Sequence, residues 1–171
     1  MCGIGTFVHE FGHVISLPDL YDTQYSGHKT LGSWDVMDNG SYNNGGRTPP
    51  TYSAYERFYL GWLTPEILNA DGDFELEELQ KSNKAYIITE TGEHNLNGGN
   101  PNSKTYYLLE NRQKVGWDEY LPGHGLMLTK TVYDENKWYN NVPNNMSSQQ
   151  GYDLIEADGK TLSGSSGKGG D

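Results

Sequence analysis

The sequence predicts an α+β fold in which a helical part comes first and a strand-rich part follows. Apolar residues recur at helical spacing within residues 4–15. Beyond Thr64, short runs rich in β-branched and aromatic residues alternate with long loops that contain Gly, Pro and Asn. Because long loops separate these runs, notably residues 92–104 and 140–150, we expect an antiparallel sheet or small sandwich rather than βαβ units. We place the boundary between a first domain, residues 1–64, and a second, residues 65–171, near Thr64.

The composition indicates a loop-rich protein that does not bind nucleic acid. Of 171 residues only 34% are hydrophobic, while 22 are Gly and 13 are Tyr, so we expect long polar loops between short structured pieces. Twelve basic and 23 acidic residues give a net charge of −11, which repels nucleic acid and anionic membrane surfaces. The single cysteine, Cys2, excludes an internal disulfide. No apolar stretch approaches the roughly 20 residues that span a bilayer, so we expect no membrane partner.

The first predicted helix has one apolar side and carries two histidines on the other. Its apolar residues fall within an arc about 120° wide at 3.6 residues per turn, which predicts a side that faces the core. These residues are Ile4, Phe7, Val8, Phe11, Val14 and Ile15. His9 and His13 lie four residues apart, so their side chains stand one above the other, away from the apolar side. Two imidazoles one turn apart can bind a single cation.

Glu10 and Asp19 complete a candidate zinc site. Glu10 projects roughly 100° from His9, which is too far round for a third ligand but suits a general base close to the metal. A third ligand requires a sharp bend after the helix, and Pro18 supplies it because proline cannot continue a helix. Asp19 is the first oxygen ligand after that bend. We therefore predict zinc held by His9, His13 and Asp19, with Glu10 as the base.

The pattern of His-Glu-x-x-His followed six residues later by Asp resembles the zinc-binding motif of the metzincin metallopeptidases. The longer run over residues 9–22 resembles one branch of that clan, the immune inhibitor A family of secreted bacterial peptidases. Further blocks carry the same resemblance: Trp34-Asp35-Val36-Met37, Tyr55-Glu56-Arg57, Leu60-Gly61-Trp62-Leu63 and Tyr107-Leu108-Leu109-Glu110-Asn111-Arg112-Gln113.

The resemblance implies the C-terminal part of a metzincin-like catalytic domain, consisting of an active-site helix, a Met-turn and a second helix. In the clan a mixed sheet precedes this helix, and its edge strand pairs with the extended substrate. Residues 1–64 lack such a sheet, so we expect the chain to contact an upstream part of the same precursor.

The resemblance also suggests roles for Met37, Tyr42 and Ser16. In metzincins a methionine in a tight turn lies beneath the zinc, and Met37, just before the turn-forming pair Asn39-Gly40, matches it. Tyr42 is a possible transition-state donor, although clan members with such a tyrosine have it where this chain has Asn39. The clan has glycine in place of Ser16, so keeping the same left-handed backbone costs on the order of 1 kcal/mol.

Two other residues are alternatives to Asp19 as the third ligand. His28, in a polar loop, offers an imidazole. Glu56 offers a carboxylate on a downstream helix, as in another class of HExxH peptidases. We prefer Asp19, because a capping box from Ser53 to Glu56 already explains that glutamate, whereas the bend at Pro18 otherwise has no purpose.

The remaining histidines and acidic pairs are weaker candidates for metal binding. We expect His94 and His124 to be polar loop residues. Asp71 and Asp73, or Asp19 with Asp22, have the oxygen ligands that calcium prefers, so a calcium site is a second cofactor hypothesis.

The rest of the chain is predicted as one short helix, five strands and a tail. The helix begins at the Ser53 capping box and ends at Leu60, before Gly61. The strands cover residues 74–79, 85–91, 105–111, 125–133 and 152–157. The Gly/Ser-rich tail, residues 162–171, is predicted to be disordered.

Together these features predict a zinc-dependent endopeptidase that hydrolyses peptide bonds of protein or peptide substrates with a zinc-activated water. The family resemblance alone implies a secreted or cell-surface bacterial protein. The alternative is a catalytically incompetent fragment that serves as a packing or surface-recognition module, because the strand that would orient the substrate is missing. A third hypothesis treats the first helix as a structural element with incidental histidines.

Overall fold

The computed structural model describes residues 3–157. Cys2 and the tail at residues 162–171, including the disorder predicted for that tail, lie outside the described residues. Within 3–157, no helix has both the length and the apolar character needed to cross a membrane.

One five-stranded sheet, in the order β1-β2-β3-β4-β5, forms the second half of the described chain. Its strands are β1 (Glu66–Ile67), β2 (Tyr86–Ile88), β3 (Thr105–Arg112), β4 (Gly125–Val132) and β5 (Tyr152–Leu154). β3 and β4 pair over eight residues, with Thr105 opposite Val132 and Arg112 opposite Gly125. β1 is parallel to β2, whereas the other neighbouring strands are antiparallel. The α+β class is therefore confirmed, but the sheet is mixed rather than wholly antiparallel.

Four of the five predicted strands are present, and the first is wrong. Residues 74–79 form no strand and make only an isolated bridge from Glu78 to Asn111. The reason is that β2 and β4 already pair with the two edges of β3. Because β2 pairs only with residues 107–109, the edge of β3 is open to this segment only near Asn111. The edge position beside β2 is taken by β1 (Glu66–Ile67), whose two residues are too few to show a period in the sequence.

In the part of the chain that the structure describes, five helices and three 3₁₀ turns connect or precede the strands. The helices are α1 (Ile4–Val14), α2 (Asn43–Gly46), α3 (Ala54–Tyr59), α4 (Leu79–Ser82) and α5 (Glu135–Tyr139), and the 3₁₀ turns are Gly32–Trp34, Asn39–Tyr42 and Gly116–Tyr120. α3 has the predicted capping box, because the Ser53 hydroxyl accepts from the Glu56 N–H and the Glu56 carboxylate accepts from the Ser53 N–H. Gly61, with φ of 73°, follows the end of that helix as expected.

The apolar side of α1 does not face the core, which contradicts the sequence prediction. Four of its large residues are exposed, with relative accessibilities of 44% for Ile4, 65% for Phe7, 46% for Phe11 and 75% for Val14. The buried positions of α1 are instead Gly5 and Gly12.

Close backbone contact explains why glycines form the buried side of α1. A Cβ atom on Gly5 would lie 1.9 Å from the Ser41 carbonyl oxygen, and one on Gly12 would lie 2.4 Å from the Met37 sulfur. The helix therefore approaches the loop of residues 37–46 too closely for side chains on that face. Ile4, Phe7, Phe11 and Val14 point away from this loop towards solvent, whereas the half-buried Val8 packs against the core.

A single hydrophobic cluster runs across residue 64. It includes Leu17, Val36 and Phe58 from the first part and Ile87 and Leu108 from the sheet. The division into two domains near Thr64 stays a prediction, but the described residues on its two sides share one core.

Buried charges join the sheet to α3. Arg112, fully buried on β3, donates from Nε and Nη2 to the two carboxylate oxygens of Asp118 at 2.9 and 2.8 Å. Asp118 also accepts from the Thr51 N–H at 2.8 Å, and Glu110 accepts from the Ala54 N–H at 3.1 Å. The two main-chain donors lie just before and at the start of α3, so this network fixes the helix against the sheet.

Candidate metal centre

His9 and His13 lie one turn apart on α1 with their rings at 88° and their centroids 4.9 Å apart. The Nδ1 atom of His9 lies 2.8 Å from the Val36 carbonyl oxygen, and that of His13 lies 2.9 Å from the Leu17 carbonyl oxygen. Because a carbonyl can only accept, both Nδ1 atoms carry the proton in these bonds. Each Nε2 atom is then free to offer its lone pair to a cation.

The chain after α1 turns back sharply and brings Asp19 to the histidines. Ser16 adopts φ of 80°, the left-handed conformation expected from the position of glycine in the resembling clan. The Leu17 N–H then bonds back to the Gly12 carbonyl at 2.9 Å. Asp19, which is only 6% exposed, follows Pro18 with its Oδ1 3.1 Å from His9 Nε2 and 3.2 Å from His13 Nε2.

These three atoms fit a zinc ion. Tetrahedral zinc with bonds of about 2.0–2.1 Å separates its ligand atoms by roughly 3.3 Å, which is close to the two distances from Asp19 Oδ1 to the histidine nitrogens. The Asp19 Oδ1 is buried and has no hydrogen-bond partner, so an acceptor is aimed at the point where the two imidazole lone pairs converge. Among the described residues, His9, His13 and Asp19 are the one group of three potential ligands that lie this close together.

The electrostatics of the site favour a positive charge at this point. Burial alone would lower the pKa of His9, but its contact with Asp19 and its bond to Val36 outweigh burial and raise that pKa. Burial alone would raise the pKa of Asp19, but its contact with His9, the hydrogen bond from Asn141 and the charges of the nearby histidines lower it. Without a metal, the cluster therefore attracts a proton to His9, and zinc satisfies the same need.

Glu10 and Tyr42 line a cavity of about 450 Å³ beside His9. Glu10 is exposed to this cavity and is not among the three converging ligands. Tyr42 lies at the end of a 3₁₀ turn and is 68% exposed. The structure thus places both residues in the wall of a cavity that His9 also lines.

Met37 lies beneath α1. Its side chain is fully buried, and its sulfur packs against Gly12, the residue before His13. Its carbonyl oxygen accepts from the Leu20 N–H at 2.9 Å, one residue after Asp19. The segment around Met37 therefore contacts the helix and the loop that carry all three candidate ligands.

The alternative third ligands lie outside this group. The His28 ring bonds to Ser26 and to the Asn144 carbonyl, which leaves neither nitrogen free for the metal. Glu56 is fully buried in the α3 capping box.

The other weak candidates also lie apart from the three ligands. His94 packs against Phe58 and Tyr106, and burial lowers its pKa. His124 borders a different cavity, beside Trp34. Asp71 and Asp73 are exposed, and the calcium hypothesis stays a prediction.

Two residues near the site had no role in the sequence analysis. Tyr21 lines the same cavity, with its ring 6.4 Å from that of His9, and burial together with the Asp19 carboxylate raises its pKa so that it stays a hydroxyl donor. Its position in the sequence, two residues after Asp19, could have indicated that Tyr21 lies near the site. Asn141 bonds to Asp19 from 122 positions away, and nothing in the local sequence points to that contact.

Comparison with known proteins finds a family match for the first part of the chain. The sequence model described as the catalytic domain of immune inhibitor A peptidase M6 matches residues 1–63. Residues 1–63 are therefore similar to the catalytic domain of the immune inhibitor A peptidase family. The match covers the candidate ligands, Glu10, Met37 and the whole of α3.

Two curated proteins are similar to parts of this chain. A pre-pro-metalloprotease, PrtV of Vibrio cholerae serotype O1, is 31% identical over 101 residues, which cover 54% of this chain and 11% of the relative. An immune inhibitor A of Bacillus thuringiensis subsp. alesti is 42% identical over 60 residues, which cover 33% of this chain and 9% of the relative. The chain thus spans about a tenth of the length of these relatives.

Proposed function

We propose that this chain carries the zinc-binding part of an endopeptidase active site. The observation that carries the proposal is that the otherwise unpartnered Asp19 Oδ1 lies 3.1 Å from His9 Nε2 and 3.2 Å from His13 Nε2. The family of residues 1–63 and the metalloprotease name of the Vibrio relative support the same activity.

The chain's own residues have distinct tasks in peptide hydrolysis. When bound by His9, His13 and Asp19, zinc supplies a Lewis acid that lowers the pKa of water towards about 7 and polarises the scissile carbonyl. Glu10, which borders the open cavity, accepts the proton of the attacking water and passes it to the leaving amine. Asp19 supplies the one ligand charge, so two neutral imidazoles leave the site with net positive charge for the developing oxyanion.

Met37 and Tyr42 have supporting tasks in this proposal. Met37 packs beneath α1 and limits how far the two imidazoles can move, which is the role of a Met-turn. Tyr42 donates a hydrogen bond to the oxyanion once its exposed ring folds over the bound substrate. Its place on the rim of the cavity supports this task.

The exposed apolar side of α1 supports a contact with a further part of the same protein. Monomeric surfaces rarely present several large apolar residues side by side, yet Phe7, Phe11 and Val14 are all exposed here. Since the chain spans about a tenth of its relatives, we propose that a further segment of the precursor covers this side. The pre-pro name of the Vibrio relative supports a secreted or cell-surface bacterial protein.

The same exposed side favours a second candidate function, in which this chain alone binds zinc without cleaving peptides and serves as a packing module. The two functions make different predictions for Glu10→Gln, which removes the base and leaves the three ligands. An endopeptidase cleaves an unstructured protein such as casein when zinc is added, and both Glu10→Gln and His9→Ala abolish cleavage.

A packing module binds zinc, but the wild-type chain and Glu10→Gln then give the same result in the cleavage assay. Failure of the wild-type chain to bind zinc would contradict both functions. In that case the third hypothesis, a structural helix with incidental histidines, would remain.

A further inference from the structure

We propose that Asn141 is a positioning residue for Asp19, so that the zinc site depends on the loop that follows α5. This inference rests on the proposed zinc site. Asn141 lies 122 positions from Asp19 and far beyond the segment that matches the peptidase family, residues 1–63.

The two side chains are joined by a reciprocal pair of hydrogen bonds. The Asp19 N–H donates to Asn141 Oδ1 at 2.6 Å, and Asn141 Nδ2 donates to Asp19 Oδ2 at 2.7 Å. One amide therefore holds both the main chain and the carboxylate of the same residue. Because Oδ2 is engaged, the carboxylate rotates neither away from the histidines nor towards solvent, and Oδ1 stays aimed at the metal position.

The position calls for a side chain that both donates and accepts. A carboxylate in place of the Asn141 amide would accept from the Asp19 N–H but face Asp19 Oδ2 with a second negative oxygen. An aliphatic side chain would leave a buried N–H and a buried carboxylate oxygen without partners.

The backbone of Asn141 is fixed by α5. Asn141 adopts φ of 59°, and its N–H bonds back to the Trp138 carbonyl at 3.1 Å, as in a left-handed helix end. Trp138 is itself buried and donates from its indole nitrogen to the Tyr55 hydroxyl at 2.5 Å. The Asn141 amide that bonds to Asp19 is thus connected to the common core through α5 and α3.

Neighbouring asparagines in this loop supply a matched control. Asn145 makes a similar reciprocal pair with Thr23, which accepts from Nδ2 at 2.8 Å and donates its N–H to Oδ1 at 2.9 Å. Both Asn141 and Asn145 are half-buried, and both connect the same two loops. Only Asn141 touches a candidate ligand, so replacing Asn145 tests loop attachment alone.

The test measures zinc affinity of the full chain by competition with a chelating indicator, together with the visible spectrum of the cobalt-substituted chain. Asn141→Gly is the main variant, because glycine tolerates the positive φ while the amide is lost. We expect a 10- to 100-fold weaker zinc affinity and altered cobalt bands, as is typical when an outer-shell partner is removed. Asn145→Ala is expected to lower the melting temperature but to leave zinc affinity within twofold of wild type and the cobalt spectrum unchanged.

The outcomes separate this proposal from the proposed function. The positioning role alone would be overturned if the wild-type chain binds zinc and Asn141→Gly binds it within twofold of wild type with an unchanged cobalt spectrum. An equal loss of affinity in Asn145→Ala would overturn it too, because the effect would then belong to the loop as a whole. If Asn141→Gly does not fold, Asn141→Asp replaces it, because this variant keeps the bond from the Asp19 N–H. Its zinc affinity and cobalt spectrum are then compared with those of wild type by the same criteria. No zinc binding by the wild-type chain would overturn both proposals.

Discussion

Asp35 and Glu56 interact with each other in the core, where both are completely buried. Each has one carboxylate oxygen without a hydrogen-bond partner. Burial raises the pKa of Asp35 to about 7, with the nearby Asp38 charge adding to the effect. Burial and the charge of Asp35 raise the pKa of Glu56 well above its usual value. The folded chain therefore keeps a proton between these two carboxyl groups that the unfolded chain releases.

This pair predicts that the protein loses stability as pH rises from about 4 to about 7. Both pKa values are higher in the folded state, so the folded chain binds more protons and the free energy of unfolding falls across that range. Glu56→Gln should flatten this dependence, because an amide donates to Asp35 without taking up a proton and still accepts from the Ser53 N–H. We expect on the order of 1 kcal/mol higher stability at pH 8. Urea unfolding at several pH values measures it.

Glu75→Gln is the control for that experiment, since it removes one negative charge from an exposed site. A wild-type chain whose stability does not fall between pH 4 and 7, or a Glu56→Gln variant with the same slope, would contradict the shared proton.

Replacing Ser16 by glycine should stabilise the chain. Ser16 has φ of 80°, which costs about 1 kcal/mol for a residue with a side chain, and its side chain is exposed. We expect a gain of roughly 0.5–1 kcal/mol in the free energy of unfolding and an unchanged zinc affinity. Ser147→Gly, at an exposed position outside the left-handed region, should instead be neutral or slightly destabilising. Equal effects of the two substitutions would argue against strain at Ser16.

Arg112→Leu should destabilise the fold strongly. The substitution removes the charge that pairs with Asp118 and Glu110 while leaving both carboxylates buried. Breaking a buried pair in this way typically costs about 3–5 kcal/mol. Thermal unfolding, with the exposed Arg47→Leu as control, measures the loss. A loss below 1 kcal/mol would mean that this network does not fix α3 to the sheet.

The exposed side of α1 should contribute little to the stability of this chain. Phe7→Glu is expected to change the free energy of unfolding by less than about 0.5 kcal/mol and to reduce self-association and dye binding, because Phe7 is 65% exposed. Phe58→Ala, in the core, should cost about 3–5 kcal/mol. Sedimentation and chemical unfolding test both, and a large destabilisation by Phe7→Glu would show that this side is packed after all.

Local features of the sequence were sufficient to predict local structure. The bounds of α1, the Ser53 capping box and the left-handed Ser16 depend on residues within a few positions of one another. The grouping of His9, His13 and Asp19 follows from the same short range, because a helical turn and one bend set all three positions.

Features that depend on distant parts of the chain were not predictable in the same way. The apolar side of α1 was expected in the core, but glycine contacts with residues 37–46 decide which side is buried. The failed strand at residues 74–79 depends on which neighbours β3 already has. The bond from Asn141 to Asp19 and the buried Asp35–Glu56 pair join elements whose approach no local pattern encodes.

X-ray absorption at the zinc edge of the zinc-loaded chain tests the central claim most directly. The account predicts one zinc per chain, with two imidazole nitrogens and a carboxylate oxygen at about 2.0–2.1 Å, and loss of the oxygen ligand in Asp19→Ala. Zinc that binds with the same coordination in Asp19→Ala, or that shows no imidazole ligands, would contradict it.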